Sequence, residues 1–246
     1  MELYGKTDVG IVRNSNQDNF ILRKLDDRCM YGIVCDGMGG HNGGNIASEL
    51  AVRTLDSYLT AGYDGIIRNR DIEMLLQNAV IHANGTVFSV SLKDENLKGM
   101  GTTVVMAYVL DDKLYIAHVG DSRAYLFDGK SLTRLTKDHS IVQEMIDDGR
   151  LTYEQAKTHP YRHVITRVVG FTSDVDAEIT VYDFDPTYTV LLCSDGLTNV
   201  LGLEDMEKVL VRFPYNKACD ELIRQANKRG GPDNITVVLV CGDKSE

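Results

Sequence analysis

Short runs in which apolar and polar positions alternate dominate the chain. Residues 20–24, 30–35, 102–110, 113–119, 123–127, 187–193 and 235–241 are apolar or alternating, are bounded by turn residues, and predict strands. Asp111-Asp112 separates the third run from the fourth, and Asp128-Gly129, a strong hairpin signal, follows Phe127. The runs from 102 to 127 therefore predict an antiparallel meander. Helical spacing appears over 45–59, where Ile46, Leu50, Val52, Leu55 and Leu59 form a mostly one-sided stripe. A second helix is predicted from Asp71 through Leu75, Leu76, Val80 and Val87 towards Leu92. Residues 203–211 and 217–228 also read as helices, the latter stopped by Gly230-Gly231-Pro232. Residues 140–170 are polar and less regular, which predicts a short helix over 141–147 and a mobile segment. Strands in bulk, with helices inserted as blocks, give an α+β sandwich.

Composition changes this picture little. With 246 residues, 43% hydrophobic and 25% charged, the chain is an ordinary soluble globular protein, and no linker or repeat divides it. One domain over 1–246 is expected. A net charge of −10 disfavours a nucleic-acid binder, which needs basic surface against phosphates. The N-terminal residues lack a basic region followed by an apolar run, and no apolar stretch reaches the ~18–20 residues of a membrane span. The five cysteines are odd in number, unpaired in spacing, and set in apolar runs such as those around Cys35 and Cys193. They read as buried thiols of a reducing compartment, so a cytoplasmic location is expected; a monomer is expected as well.

The candidate chemistry lies in the placement of five aspartates. Asp18 closes Arg13-Asn14-Ser15-Asn16-Gln17-Asp18. Asp36 follows a run of apolar residues and precedes Gly37-Met38-Gly39-Gly40. Asp121 follows His118-Val119-Gly120, Asp195 follows Cys193-Ser194 and precedes Gly196, and Asp233 follows Pro232 and precedes Asn234. A strand end places a carboxylate accurately, and an adjacent glycine lets the backbone come close enough to offer its carbonyl. Carboxylates without histidine suit hard divalent cations. A strand followed by Asp-Gly is also an ordinary turn, so spacing alone leaves both readings open.

At these residues the chain resembles the metal-dependent protein phosphatases of type 2C. The motifs are Val12-Arg13-Asn14-Ser15-Asn16-Gln17-Asp18-Asn19, Val34-Cys35-Asp36-Gly37-Met38-Gly39-Gly40-His41, Gly101-Thr102-Thr103, His118-Val119-Gly120-Asp121-Ser122-Arg123, Leu135-Thr136-Lys137-Asp138-His139-Ser140, Ile165-Thr166-Arg167-Val168-Val169-Gly170, Leu192-Cys193-Ser194-Asp195-Gly196-Leu197 and Pro232-Asp233-Asn234-Ile235-Thr236. They occur in the family's order from about residue 5 to residue 241, as in minimal bacterial members.

The resemblance implies a four-layer α-β-β-α sandwich of two antiparallel sheets flanked by helices. It also implies hydrolysis of phosphoserine and phosphothreonine on proteins, by a water activated between two Mn²⁺ or Mg²⁺ ions. Asp36 would bridge both ions, with the Gly37 carbonyl on one and Asp195 and Asp233 on the other. Asp121, with Asp195, would form a weaker third site. Asp18 would orient water at the metals or touch one, and Arg13 would clamp the substrate phosphate. A Ser/Thr kinase would supply the phosphoprotein substrates. Residues 141–169 correspond to the family's flap, where Tyr153, His159, Tyr161, Arg162, His163 and Arg167 are candidate substrate contacts. Three positions depart from the pattern. Met38 stands where eukaryotic members carry histidine, so the leaving group would be protonated by water or by His41, and Gln17 and Asn45 replace common glutamates. His82, His118 and His139 read as core or turn residues. Two other readings are a non-catalytic binding module on the same fold and an enzyme for a small phosphorylated molecule or a regulatory phosphoprotein.

Overall fold

The fold is seen in a computed structural model that describes residues 1–65 and 69–242. Eleven strands run in the order β1 (Glu2–Asp8), β2 (Asp18–Lys24), β3 (Cys29–Met38), β4 (Gly101–Thr102), β5 (Val104–Leu110), β6 (Lys113–Val119), β7 (Arg123–Phe127), β8 (Leu132–Arg134), β9 (Glu178–Asp183), β10 (Thr189–Cys193) and β11 (Ile235–Cys241). One sheet has the order β1-β11-β10-β7-β8 and the other β2-β3-β5-β6-β9, with β4 paired to β3. Helices α1 (Gly40–Gly62), α2 (Asn69–Ser91), α3 (Ile141–Asp147), α4 (Tyr153–Ala156), α5 (Asp195–Thr198), α6 (Leu203–Arg212) and α7 (Tyr215–Lys228), with a short 3-10 turn at Glu95–Leu97, complete the described elements.

Alternation along the strands builds the layers. In β3, Met30 and Val34 meet Val238 and Val240 of β11 between the two sheets. The intervening Tyr31, Ile33 and Cys35 face the other way and pack with Ala47, Ala51, Leu55 and Leu59 of α1. Those four helix positions are spaced by four, which aligns them on one face. On the far side, Ile235, Val237 and Leu239 pack under Ala218, Leu222, Ile223 and Ala226 of α7. The expected α-β-β-α sandwich is what forms.

Several expectations need correction. The run 102–127 is not one meander. Val104–Leu110 and Lys113–Val119 pair, but Arg123–Phe127 leaves for the other sheet, between β10 and β8. The crossover occurs at Gly120-Asp121, where Gly120 has φ +108° and a Cβ would lie 2.6 Å from the Thr103 side chain. Strands β1, β8 and β9 were not predicted. β1 and β9 are edge strands with mixed burial, so their polar positions hide the apolar period. Helix α1 begins at Gly40, ahead of the predicted Asn45, because Gly40, Gly43 and Gly44 carry no apolar signal. All five cysteines are buried free thiols, and no described helix is long and apolar enough to cross a membrane.

Candidate active site

Antiparallel pairing of β2 with β3 sets Asp18 directly opposite Asp36. Opposite residues share a sheet face, so two carboxylates are held side by side at one end of the sandwich. Asp18 is buried, and its Oδ2 accepts from Ser194 Oγ and Thr236 Oγ1, each at 2.7 Å. Its Oδ1 is buried without a partner. Asp36 is pinned through its backbone. Its N–H donates to Thr103 Oγ1 at 2.9 Å, and its carbonyl accepts from Thr103 N–H and Thr102 Oγ1, each at 2.9 Å. The carboxylate takes no part in those bonds.

The second sheet supplies Asp195 and Asp233. Asp195 directly follows β10 and Ser194, and Asn199 Nδ2 donates to its Oδ2 at 2.9 Å. Gly196 packs so closely on the segment before β11 that a Cβ would lie 2.0 Å from the Asn234 carbonyl oxygen. This close approach brings Asp195 beside Asp233. Asn234 in turn donates from Nδ2 to the carbonyls of Val9 and Ser15, and its Oδ1 accepts from Gln17 N–H, all at 2.9 Å. The loop carrying Arg13 is thereby fixed against Asp233. Arg13 Nη2 donates to Asp233 Oδ2 at 2.8 Å, and the arginine side chain remains 52% exposed.

These groups line one cleft of about 1180 Å³, which contains Arg13, Asp36, Gly37, Asp121, Asp195 and Asp233. Asp18 sits behind its wall. Gly37 N–H is tied to the Gln17 carbonyl at 3.1 Å. The other wall is the 141–169 segment, which contributes Val142, Ile146, Tyr153, Lys157, Arg162 and His163. Of the predicted flap contacts, Tyr153, Arg162 and His163 face the cleft. His159 and Tyr161 instead pair with each other, with ring centroids 5.5 Å apart, and Arg167 turns to His139. Met38 is on the cleft wall. The side chain of His41 lies outside the described residues.

The electrostatics leave room for cations. Burial, opposed by the Ser194 and Thr236 hydrogen bonds and reinforced by Asp195 and Asp233, pushes Asp18 from 3.8 up to about 7. Burial, then repulsion from Asp195 and Asp138, pushes Asp121 up to about 7. Asp36 is raised by burial and then by Asp18, Asp195, Asp121 and Asp233, while Asp195 is raised by burial and Asp233. The Asp233 hydrogen bond raises Arg13. Arg13 bonds Asp233 and Arg123 lowers Asp121, but Arg123 is itself held by Asp138, so these cations do not balance five carboxylates. An all-oxygen donor set with an unpartnered buried carboxylate oxygen fits hard divalent cations.

Sequence reasoning did not assign roles to the residues that hold the aspartates. Ser194 and Thr236 grip Asp18, Asn234 grips the Arg13 loop, and Thr103 bonds both Asp36 and, at 2.7 Å, Ser122 Oγ beside Asp121. All four stand inside the motifs quoted above, and Ser194, Asn234 and Thr236 share theirs with an aspartate, which was the available signal.

The family model described as Protein phosphatase 2C matches residues 12–239. The chain belongs to the protein phosphatase 2C family. It is 38% identical over 243 residues to the serine/threonine phosphatase stp of Listeria monocytogenes, covering 98% of this chain and 96% of that one. The serine/threonine phosphatase of S. agalactiae superposes with a TM-score of 0.91 at 36% identity, covering 98% of this chain and 99% of that one. The catalytic domain of the phosphatase PstP, in complex with 2 manganese ions, has a TM-score of 0.83 at 32% identity, with 97% and 96% coverage.

In a protein phosphatase 2C stripped of metal, crowded carboxylates make stability depend on pH with a definite sign. Asp18 and Asp121 are raised from 3.8 to about 7 in the folded chain, so the folded state binds protons that the unfolded state releases. Stability contributed by protonation is then lost as pH rises between about 4 and about 7. EDTA-treated protein should melt several degrees lower at pH 7.5 than at pH 5.5 in a calorimetric scan, at roughly 2–4 °C per kcal/mol. Saturating Mn²⁺ should remove the difference. Equal melting of the metal-free protein at both pH values would refute mutual repulsion at the site.

Proposed function

We propose that the chain hydrolyses phosphoserine and phosphothreonine on proteins with the help of divalent cations, Mn²⁺ or Mg²⁺. The observation that supports this best is the convergence of Asp36, Asp121, Asp195, Asp233 and Arg13 on one cleft, with Asp18 behind it. Asp36, the Gly37 carbonyl, Asp195 and Asp233 would hold two cations, and Asp121 with Asp195 a third. Bound there, such cations lower the pKa of water and withdraw charge from phosphoryl oxygens. Asp18 would accept a proton-bearing contact from water through its free Oδ1. Arg13 would exchange Asp233 for the substrate phosphate, which offers the same two-oxygen geometry to its fork. Cations on Asp233 would weaken its claim on Arg13 and free the guanidinium. Met38 has no proton to give, so we assign protonation of the leaving alkoxide to solvent in the cleft.

The cleft volume of about 1180 Å³ and its 141–169 wall favour a loop of a phosphoprotein over a small molecule. We further propose a single catalytic domain, monomeric and cytoplasmic, that acts against a Ser/Thr kinase. The test is phosphate release from a phosphothreonine peptide by purified protein, after EDTA treatment and after addition of Mn²⁺. Release should fall to background with EDTA and return with Mn²⁺. Folded protein that releases no phosphate with any divalent cation would remove the catalytic reading and leave the binding module.

A further inference from the structure

His118, His139 and Glu178 bring three ligand-type atoms within 4.8 Å of one another, outside the aspartate cleft. Their hydrogen bonds argue against an ion at that place. Gly120 N–H donates to His139 Nδ1 at 3.1 Å, so Nδ1 presents its lone pair to the backbone. The proton of the neutral ring is then on Nε2, facing Glu178 Oε2 at 3.3 Å. A cation at Nε2 would need that proton removed, and Arg167 Nη1 stands 3.5 Å away as a competing positive charge.

We propose instead that His139 is a positioning residue. It sets the Gly120-Asp121 turn through Nδ1 and fastens that turn to the base of the 141–169 segment. The proposal rests on the reading of Asp121 as a cation ligand. His139 and Gly120 are paired in both directions, because His139 N–H also donates to the Gly120 carbonyl at 2.8 Å. On its other side, the His139 carbonyl accepts from Thr166 N–H at 2.9 Å, and Ser140 bridges to Ile165. One residue thus joins the crossover that carries Asp121 to the returning arm of the cleft wall. The ring is 7% exposed, and the His118 ring lies against it at 4.6 Å and 32°. His118 meets the backbone of Ser122, beside Asp121, and stacks on the His139 ring. Burial holds His139 below the usual imidazole value, which keeps Nδ1 available as an acceptor.

Two near-isosteric substitutions separate this role from simple filling of space. His139→Asn places an amide oxygen near the position of Nδ1 and can still accept from Gly120. His139→Gln places its amide near Nε2 and leaves the Gly120 N–H bare. Both variants, in the full chain and checked for folding by circular dichroism, are compared with wild type in two experiments. The first is amide exchange at Gly120 in EDTA-treated protein. The second is Mn²⁺ titration calorimetry. His139→Gln should speed Gly120 exchange and weaken the weakest Mn²⁺ site by roughly 10–100-fold, the usual cost of removing an outer partner of a metal site. The tighter sites should be unchanged, and His139→Asn should remain near wild type in both experiments. If the two variants behave alike, or Gly120 exchange is unmoved in His139→Gln, the positioning role is wrong. The exchange comparison is made without metal. A wild type that binds no Mn²⁺ would therefore overturn the metal reading of the cleft while exchange still decides the His139 bond.

Discussion

Asp36→Asn is expected to abolish turnover while leaving the metal-free protein folded and more stable than wild type. The asparagine fits the same space, the backbone of this position is fixed by Thr103 and Thr102, and an asparagine amide can still donate to Asp195, which the Asp36 side chain meets. The fold therefore has no need of the carboxylate. The cleft does, because Asp36 feels the repulsion of Asp18, Asp195, Asp121 and Asp233 together and is the group placed to share charge with bound cations. With Asp36 holding both cations as proposed above, its loss should lower kcat/KM on a phosphothreonine peptide by roughly 10³-fold or more, about 4 kcal/mol of transition-state stabilisation. In EDTA at pH 7.5 the same substitution relieves buried like charge, and the melting temperature should rise. Activity above a tenth of wild type would refute the ligand role. A lower melting temperature in EDTA would refute the electrostatic account of the site.

These opposite signs follow from a division of labour that the sequence shows only in part. The aspartates were legible because each stands at the edge of an apolar run, where period and turn residues mark a strand end. Their convergence was not legible, because it depends on which strands pair. The opposition of Asp18 and Asp36 is a matter of β2–β3 register, and Asp195 meets Asp233 because Gly196 admits the Asn234 backbone at contact distance. Asp121 reaches the cleft because the chain changes sheets at Gly120, which the expected meander placed inside a single sheet. The long buried strands and the helices with spaced apolar stripes were found. The edge strands β1 and β9 were not, since neither has a fully buried position to impose a clean apolar alternation. Arg13 was recognised, but its partner Asp233 lies 220 positions away and could not be inferred from local pattern.

The same long-range logic underlies the largest expected effect on stability. Asp138→Ala should destabilise the protein by roughly 2–4 kcal/mol, measured by urea unfolding at neutral pH. Asp138 receives two bonds from Arg123, at 3.0 and 2.7 Å, and a third from Arg134. The aspartate side chain is 12% exposed and the arginines 26% and 23%, so removing the shared anion leaves two largely buried cations facing each other. The low end of the range allows for the solvent each arginine retains. The arginines hold Asp138 below its ordinary value of 3.8, despite burial. Stability from a depressed carboxylate is present above its unfolded pKa and is lost as pH falls through the folded one. The gap between wild type and variant should therefore persist from pH 5 to 8 and close in stronger acid. Asp138 also raises Asp121, whereas Arg123 lowers it. Removing Asp138 leaves Asp121 beside uncompensated positive charge, so Mn²⁺ binding at the cation site proposed for Asp121 should weaken together with the fold. A variant that unfolds with the wild-type midpoint would mean that Arg123 and Arg134 find other partners, and would place the stability of this wall in its packing.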